Sequence, residues 1–316
     1  VLAEAVTQFQ AQAYKELLPS DGPVRTQIIG LRNPQTEQQS TRVKDFMNYL
    51  IMDQMKEYEA EFDSMLFHLP LAGSTFKKVY YDTTMGRAVS KFVPADELVV
   101  PYTATSLDDA ESIIHVIKMP ENVLRKQQVS GFYRDVDLGP PGRVETNPVL
   151  KKERELEGTK ATGKPQPIYT LLECHVNLDL EGFEEIGEDG QPTGIKLPYV
   201  VTIDESTRTV LSIRRNYAPD DPKKDKIQYF VHFKFLPGLG FYGFGLIHMI
   251  GGLSRTATSA LRQLLDAGTL SNLPVGFKQR GVRVKDDAAN IQPGEFKDVD
   301  TPGGNLKDAF VFLPYK

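Results

Sequence analysis

The sequence predicts an α+β fold in which long helices pack on antiparallel or mixed sheets. Three observations lead there. Apolar residues recur at helical spacing in two N-terminal stretches and again over residues 246–270. Most other apolar runs are short, alternate with polar residues and are separated by turn-forming residues, as in antiparallel strands with one half-exposed face. No regular alternation of strand and helix suggests βαβ units.

Residues 1–18 place Leu2, Val6, Phe9, Ala13 and Leu17 on one helical stripe that stops at Pro19. Residues 20–39 are polar and turn-rich, with Asp21-Gly22-Pro23 as a breaker. Ser40 or Thr41 is placed to cap a second helix. Its stripe runs through Val43, Phe46, Met47, Leu50, Ile51, Met55, Tyr58, Phe62, Met65 and Leu66 to a stop at Pro70 and Gly73. At 1.5 Å per residue that helix would extend ~40 Å. A hairpin comes next, with strands at 76–81 and 88–93 around a turn at 82–86. A strand at 112–119 then leads through Pro120 to a short helix at 121–133.

Residues 135–167 are dense in Gly, Pro and charge and read as a mobile loop. A β-meander is expected next, with strands near 171–180, 199–203, 210–214 and 227–235. In the first of these, Cys174, Val176, Leu178 and Leu180 alternate with His175, Asn177 and Asp179. The expected organisation is therefore 1–134 (helices plus hairpin), 135–167 (loop), 168–236 (meander) and 237–316 (a helix and the remaining C-terminal residues). Both ends read as cuts, so the chain is expected to be an ordered piece of a longer polypeptide.

Composition narrows the function classes. The 316 residues are 40% hydrophobic and 25% charged, which is ordinary for globular domains. The net charge of -5 argues against a generally basic nucleic-acid binder, so a polyanion would be held by local patches or allowed to pass. A single cysteine, Cys174, excludes an intrachain disulfide framework and suits a reducing compartment. No apolar run approaches the ~20 residues of a membrane helix, and no signal peptide is read.

Gly238-Leu239-Gly240-Phe241-Tyr242-Gly243 matches the G-x-G-x-x-G pattern of phosphate-cradling loops and lies between a strand and a helix. The strand before it alternates, whereas a dinucleotide site takes a parallel strand buried on both faces. No acidic residue ends a following strand at the expected distance. The competing and favoured reading is a tight aromatic-glycine packing corner. Asn177, Asp179, Glu181, Gly182 and Glu188 fall at EF-hand loop positions, but strands and turns flank them in place of helices, and a solvated acidic hairpin is favoured over a Ca²⁺ site. The histidines His68, His115, His175, His232 and His248 lack metal-site spacing. Cys174 reads as a core thiol. No catalytic constellation emerges, so no enzyme activity and no cofactor are expected.

The helix at 246–270 combines an apolar stripe (Leu246, Ile250, Leu253, Ala257, Ala260, Leu261, Leu264) with many small residues, which let a neighbouring backbone come close. Arg255 and Arg262 lie on a more polar side. They are open to a neighbour's carboxylates, to nucleic-acid phosphate or to solvent. Gly240, Gly243 and Gly245 of the corner, with Arg255, Arg262 and Asp266 of the helix, are the residues expected to serve packing and assembly. Gly240 in particular is expected to be intolerant of a side chain.

The segment FYGFGLIHMIGGLSRTATSALRQLLDAGTLSNLPVGFKQRG, 241–281, resembles the portal (head-to-tail connector) proteins of tailed bacteriophages, in particular the long portals of short-tailed phages. An aromatic-glycine turn leads into a helix carrying Arg262-x-x-x-Asp266-x-Gly268 and then Asn272-x-Pro274. LPLAGSTFKKVYYDTTMGRAVSKFVPADELVVPYTATSLDDA, 69–110, is a second matching block in the same order. The likeness extends over most of the chain. It implies the portal wing, built of long helices and sheets, in a structural subunit that hydrolyses nothing. It also implies a homo-oligomeric ring, usually a dodecamer, at one capsid vertex of the virion, assembled in the host cytoplasm. Double-stranded DNA would pass through the channel, driven by terminase. Capsid protein and a tail or adaptor protein would be further partners, with no membrane involved. The channel-lining stem is not evident in this stretch. A nucleotide enzyme using 238–243, and another virion structural protein of capsid or tail, are the alternatives.

Overall fold

A computed structural model describes residues 2–140 and 168–272, with Thr84 and Glu188 excepted. It also describes two single positions, 152 and 158, and four short strands between 276 and 312. The chain divides into two compact units, Val1–Met249 and Ile250–Lys316. The greater part of the expected loop at 135–167 lies outside the described residues.

The first unit begins with α1 (Leu2–Leu17) and, after an extended stretch, α2 (Pro34–Tyr49). The expected long helix differs at both its start and its middle. Asn33 caps α2 through a capping box with Thr36, and Pro34 fills the first helical position, so the helix starts earlier than Ser40. It then widens into a π-turn over Leu50–Gln54 and breaks at Met55. A separate helix, α3 (Tyr58–Ala72), carries the second half of the stripe and ends at Gly73. Pro70 is buried inside the last turn of α3 and does not terminate it. The stopping residue is Gly73, at φ 89, a conformation only glycine adopts freely.

Next come β1 (Ser74–Asp82) and β2 (Arg87–Pro94), then the two-residue β3 (Leu98–Val99), β4 (Ser112–Pro120) and α4 (Glu121–Val129). Beyond the loop lie β5 (Ile168–Leu178), β6 (Leu197–Asp204), β7 (Val210–Arg215) and β8 (Phe230–Lys234). Two antiparallel sheets result, one ordered β3-β4-β5-β6-β7 and the other β2-β1-β8. The domain division read from the sequence changes here. The strand at 112–119 joins the meander through β5, while the meander's expected last strand leaves it and pairs with β1 of the hairpin. Residues 1–134 and 168–236 are thus woven together and do not form successive parts.

The elements stack in three layers. Leu18, Phe62, Met65 and Leu66, with Phe9 and Tyr58 beside them, bury α1 and α3 against Phe92 and Phe233 of the three-stranded sheet. On its other face Phe76, Val93 and Phe230 meet Leu98 and Ile113 of the five-stranded sheet and Ala104, Leu107 and Ala110 of the loop between β3 and β4. Lys226 Nζ holds that loop by donating to the carbonyls of Leu107 and Ala110, at 2.9 and 3.0 Å. Further along the five-stranded sheet, Leu124, Tyr133 and Leu138 cover Tyr169, Leu171 and Leu211. Burying side chains of this size stabilises by about 1.5–3 kcal/mol each before entropy is counted.

Helix α5 (Leu246–Asn272) comes after the corner, and the division between the units falls within it. In the second unit the described backbone adds two antiparallel pairs. These are β9 (Gly276–Lys278) with β12 (Phe310–Phe312), and β10 (Arg283–Val284) with β11 (Val299–Asp300). Among the described residues, no helix is long and apolar enough to cross a membrane.

Candidate functional site

Three pieces of backbone meet where the aromatic-glycine corner was expected. The end of α3 supplies Gly73, whose carbonyl accepts from Phe235 N–H at 3.0 Å. The chain leaving β8 turns back on itself, with Phe244 N–H donating to the Leu236 carbonyl at 2.9 Å. Gly243 N–H donates to Ser74 Oγ at 2.7 Å, and Gly245 N–H donates to His248 Nδ1 at 3.0 Å. Contact is so close that no side chain fits. A Cβ on Gly73 would lie 2.3 Å from Gly245 N, one on Gly245 2.4 Å from Leu71 O, and one on Gly243 2.6 Å from the carbonyl oxygens of Gly73 and Leu236. On Gly238 it would meet Tyr242 O at 2.0 Å.

Gly240 departs from this pattern and from the expectation placed on it. A Cβ there would meet nothing within 4 Å, because Gly240 lies in the exposed tip of the turn, next to the fully exposed Leu239. Glycine spacing alone cannot separate tip from joint, and the missing partner, Gly73, is far away in sequence. The aromatic residue at the tip is what binds the turn down. Phe241 is buried and stacks on His232 and Phe76, with centroids 4.8 and 5.9 Å apart. Burial, reinforced by Lys234, lowers His232 to about 4, so the stacked ring is neutral.

Two amides that a phosphate loop would offer are thus donated within the chain. The strand before the turn is antiparallel to β1, unlike the parallel strand of a dinucleotide site. The arrangement is that of a packing corner. Gly243 and Gly245 stand at the joint. Arg255, Arg262 and Asp266 are exposed along α5, which also presents Leu253, Leu261 and Leu264 to solvent. Gly240, Gly243 and Gly245 thus belong to the first unit, and Arg255, Arg262 and Asp266 to the second.

A second constellation lies between the two sheets. Lys78 of β1 donates to both oxygens of Glu173 on β5, at 2.6 and 2.8 Å. His175 Nε2 lies 2.8 Å from the same carboxylate and must carry the proton, since an ionised carboxylate only accepts. Burial by itself would raise Glu173, but the hydrogen bond from His175 and the charge of Lys78 override it and hold the carboxyl at about 2. Phe230 closes the cluster, with its ring 5.2 Å from His175 and 5.6 Å from His115. His115 is lowered to about 4, chiefly by burial and next by Lys78.

A second inward lysine, Lys77, is 4% exposed and has no hydrogen-bond partner for Nζ. It lies over the rings of Tyr58 and Phe62, 3.9 and 4.9 Å from their centroids. Burial brings it down to about 8, against the opposing pull of Glu61. Sequence reasoning passed over Lys77, Lys78 and Glu173, and set His175 on the polar side of its strand. Alternation correctly separated the two faces of β5. It could not show that the face with the charges is the one against the other sheet, because Lys78 and Glu173 are 95 residues apart.

Asn177 stands near the end of β5, and Glu181 and Gly182 form the turn after it. Glu188, the last position of the EF-hand pattern, lies outside the described residues. Among the described residues no three His, Cys, Asp or Glu side chains converge to hold a metal. Burial raises the half-buried Cys174 thiol, as does Glu173, and this disfavours the thiolate. No family model matches the chain, and no curated protein matches it.

Proposed function

We propose that the chain is the wing-type part of a ring-forming structural subunit, a phage portal at one capsid vertex of the virion. It would serve as a conduit for double-stranded DNA during terminase-driven packaging and during ejection, and as a platform for tail or adaptor proteins. The observation that carries this reading is the exposure of whole apolar helix faces on a chain whose sheets are well packed. Val43, Phe46 and Met47 of α2 and Leu253, Leu261, Leu264 and Leu265 of α5 are all at least 40% exposed. Apolar residues grouped in this way are characteristic of surfaces covered by another chain. The likeness of 69–110 and 241–281 to portal proteins names the kind of assembly. Two further points support a structural role. Two amides of the corner that resembles a phosphate loop, those of Gly243 and Gly245, are donated within the chain, and Lys78 and Glu173 neutralise one another. A net charge of -5 suits a body past which DNA slides, because each phosphate neutralised adds affinity and hence friction.

Negative-stain electron microscopy and mass photometry of the purified chain test the reading. Closed rings of one stoichiometry are expected. A monodisperse monomer at the highest attainable concentration would overturn it. Shells or open tubes would transfer the chain to another class of virion structural protein.

A further inference from the structure

Two surfaces of the first unit lack a cover and match one another. The first is the stripe of α2. Val43, Phe46 and Met47 are 53%, 59% and 40% exposed, and with the half-buried Leu50 they recur at i, i+3, i+4 and i+7. They form one face ~10 Å long. No residue of α2 is buried. Arg42 stands at the N-terminal end of the stripe, and Asp53 lies beyond its C-terminal end.

The second surface is an open groove of about 640 Å³ between α1 and α3. Ala11 and Ala60 line it with minimal bulk, leaving room for larger side chains. The two helices run antiparallel across it, tied by Gln10 Nε2 donating to Asp63 Oδ1 at 2.7 Å and Tyr14 O–H donating to Glu59 Oε1 at 2.5 Å. From Thr7 to Tyr14 the groove is also ~10 Å long. Asp63, level with Gln10, makes the Thr7 half acidic, while Lys15 and Lys56 outweigh Glu59 in the half around Tyr14.

We propose that the α2 stripe of one copy of this chain seats in the α1–α3 groove of the next copy. Laid parallel to α1, the stripe puts Arg42 towards Asp63, and Asp53 towards Lys15 and Lys56. The reverse orientation sets Asp53 towards Asp63 and Arg42 towards the two lysines, so charge favours one direction. Each copy offers one helix and one groove, which is a heterologous contact. Such contacts propagate from copy to copy and close into a ring when the rotation between copies divides a full turn. The inference rests on the ring reading above and deepens it by naming the two faces.

The test uses Phe46→Asp, which spoils the helix face, and Ala60→Trp, which fills the groove, each compared with the unaltered chain by mass photometry. Both positions are exposed, so far-UV circular dichroism and melting temperature should not change. If either variant melts early, Val43→Glu and Ala11→Trp replace them. Each variant alone should associate about tenfold more weakly or worse. An equal mixture should give dimers containing one copy of each, because the Phe46→Asp chain keeps its groove and the Ala60→Trp chain keeps its helix. A mixture that stays monomeric, or an Ala60→Trp chain that assembles normally, places the contact elsewhere and sinks this interface while the ring reading stands. An unaltered chain that is monomeric sinks both.

Discussion

At the scale of single residues, the joint predicts a sharp contrast between neighbouring glycines. Gly243→Ala and Gly245→Ala each drive a methyl group into backbone at 2.6 Å or less. Backbone cannot swing aside as a side chain can, so each should cost about 3 kcal/mol or more. Gly240→Ala has open space and should stay within about 1 kcal/mol. Urea midpoints for the three variants check this, and equal losses would show that the turn behaves as a unit. The buried titratable groups set a pH dependence. His115 and His232 are held near 4, below the ordinary histidine value of 6.5. The unfolded chain therefore binds more protons between those values, and stability falls as pH drops through that window. Glu173, held at about 2 against an ordinary 4.5, adds a second loss below pH 4.5. Each partly buried histidine should contribute roughly 1–2 kcal/mol after allowance for solvent. Urea midpoints measured from pH 7 to pH 4 should decline steadily, and His115→Phe should flatten part of the slope. A flat profile in the unaltered chain would contradict the burial of both rings.

At the scale of elements, the strands and their turns were legible in the sequence because alternation and turn residues are local signals. The hairpin at 76–93 and the strand at 112–119 match β1, β2 and β4 to within two residues. The continuous helix through 41–66 was not, although its stripe is unbroken. A single period cannot register the π-turn at Leu50–Gln54, which changes partners within the helix without changing the apolar pattern. Nor could the stripe show that its first half faces solvent and its second half the core. Pairing of residues distant in sequence, as between β1 and β8, carries no local signal, and this hid both the woven sheets and the cluster around Glu173. The difference between the two halves is measurable. With its stripe uncovered, α2 depends on its capping box, and Asn33→Ala should cost it about 1 kcal/mol. Hydrogen exchange in a chain kept dilute should quicken across α2 and leave α3 unchanged. Quickening of both would mean that the break at Met55 does not separate them energetically.

At the scale of the whole molecule, β8 decides cooperativity within the first unit. It comes after the five-stranded sheet in sequence but pairs with the three-stranded one, and Phe230 at its start packs into both. Neither sheet keeps a complete core when the other unfolds. One transition is expected for Val1–Met249, with far-UV dichroism and tyrosine fluorescence tracing the same urea curve for that span. Separate curves would mean that the sheets are independent folding units.

The joint also has a mechanical meaning. Where Gly73, Gly243 and Gly245 touch, main chain bears directly on main chain, with no flexible side chain between. A pull on the first turn of α5 is therefore carried into β1 and the strand end before it by two hydrogen bonds, Gly243 N–H to Ser74 Oγ and Phe244 N–H to the Leu236 carbonyl. Such a contact is stiff and gives way abruptly, as a pinned hinge does. In the portal subunit proposed above, which would have to keep its shape while DNA is driven under pressure, this joint would serve as a pin at the root of α5.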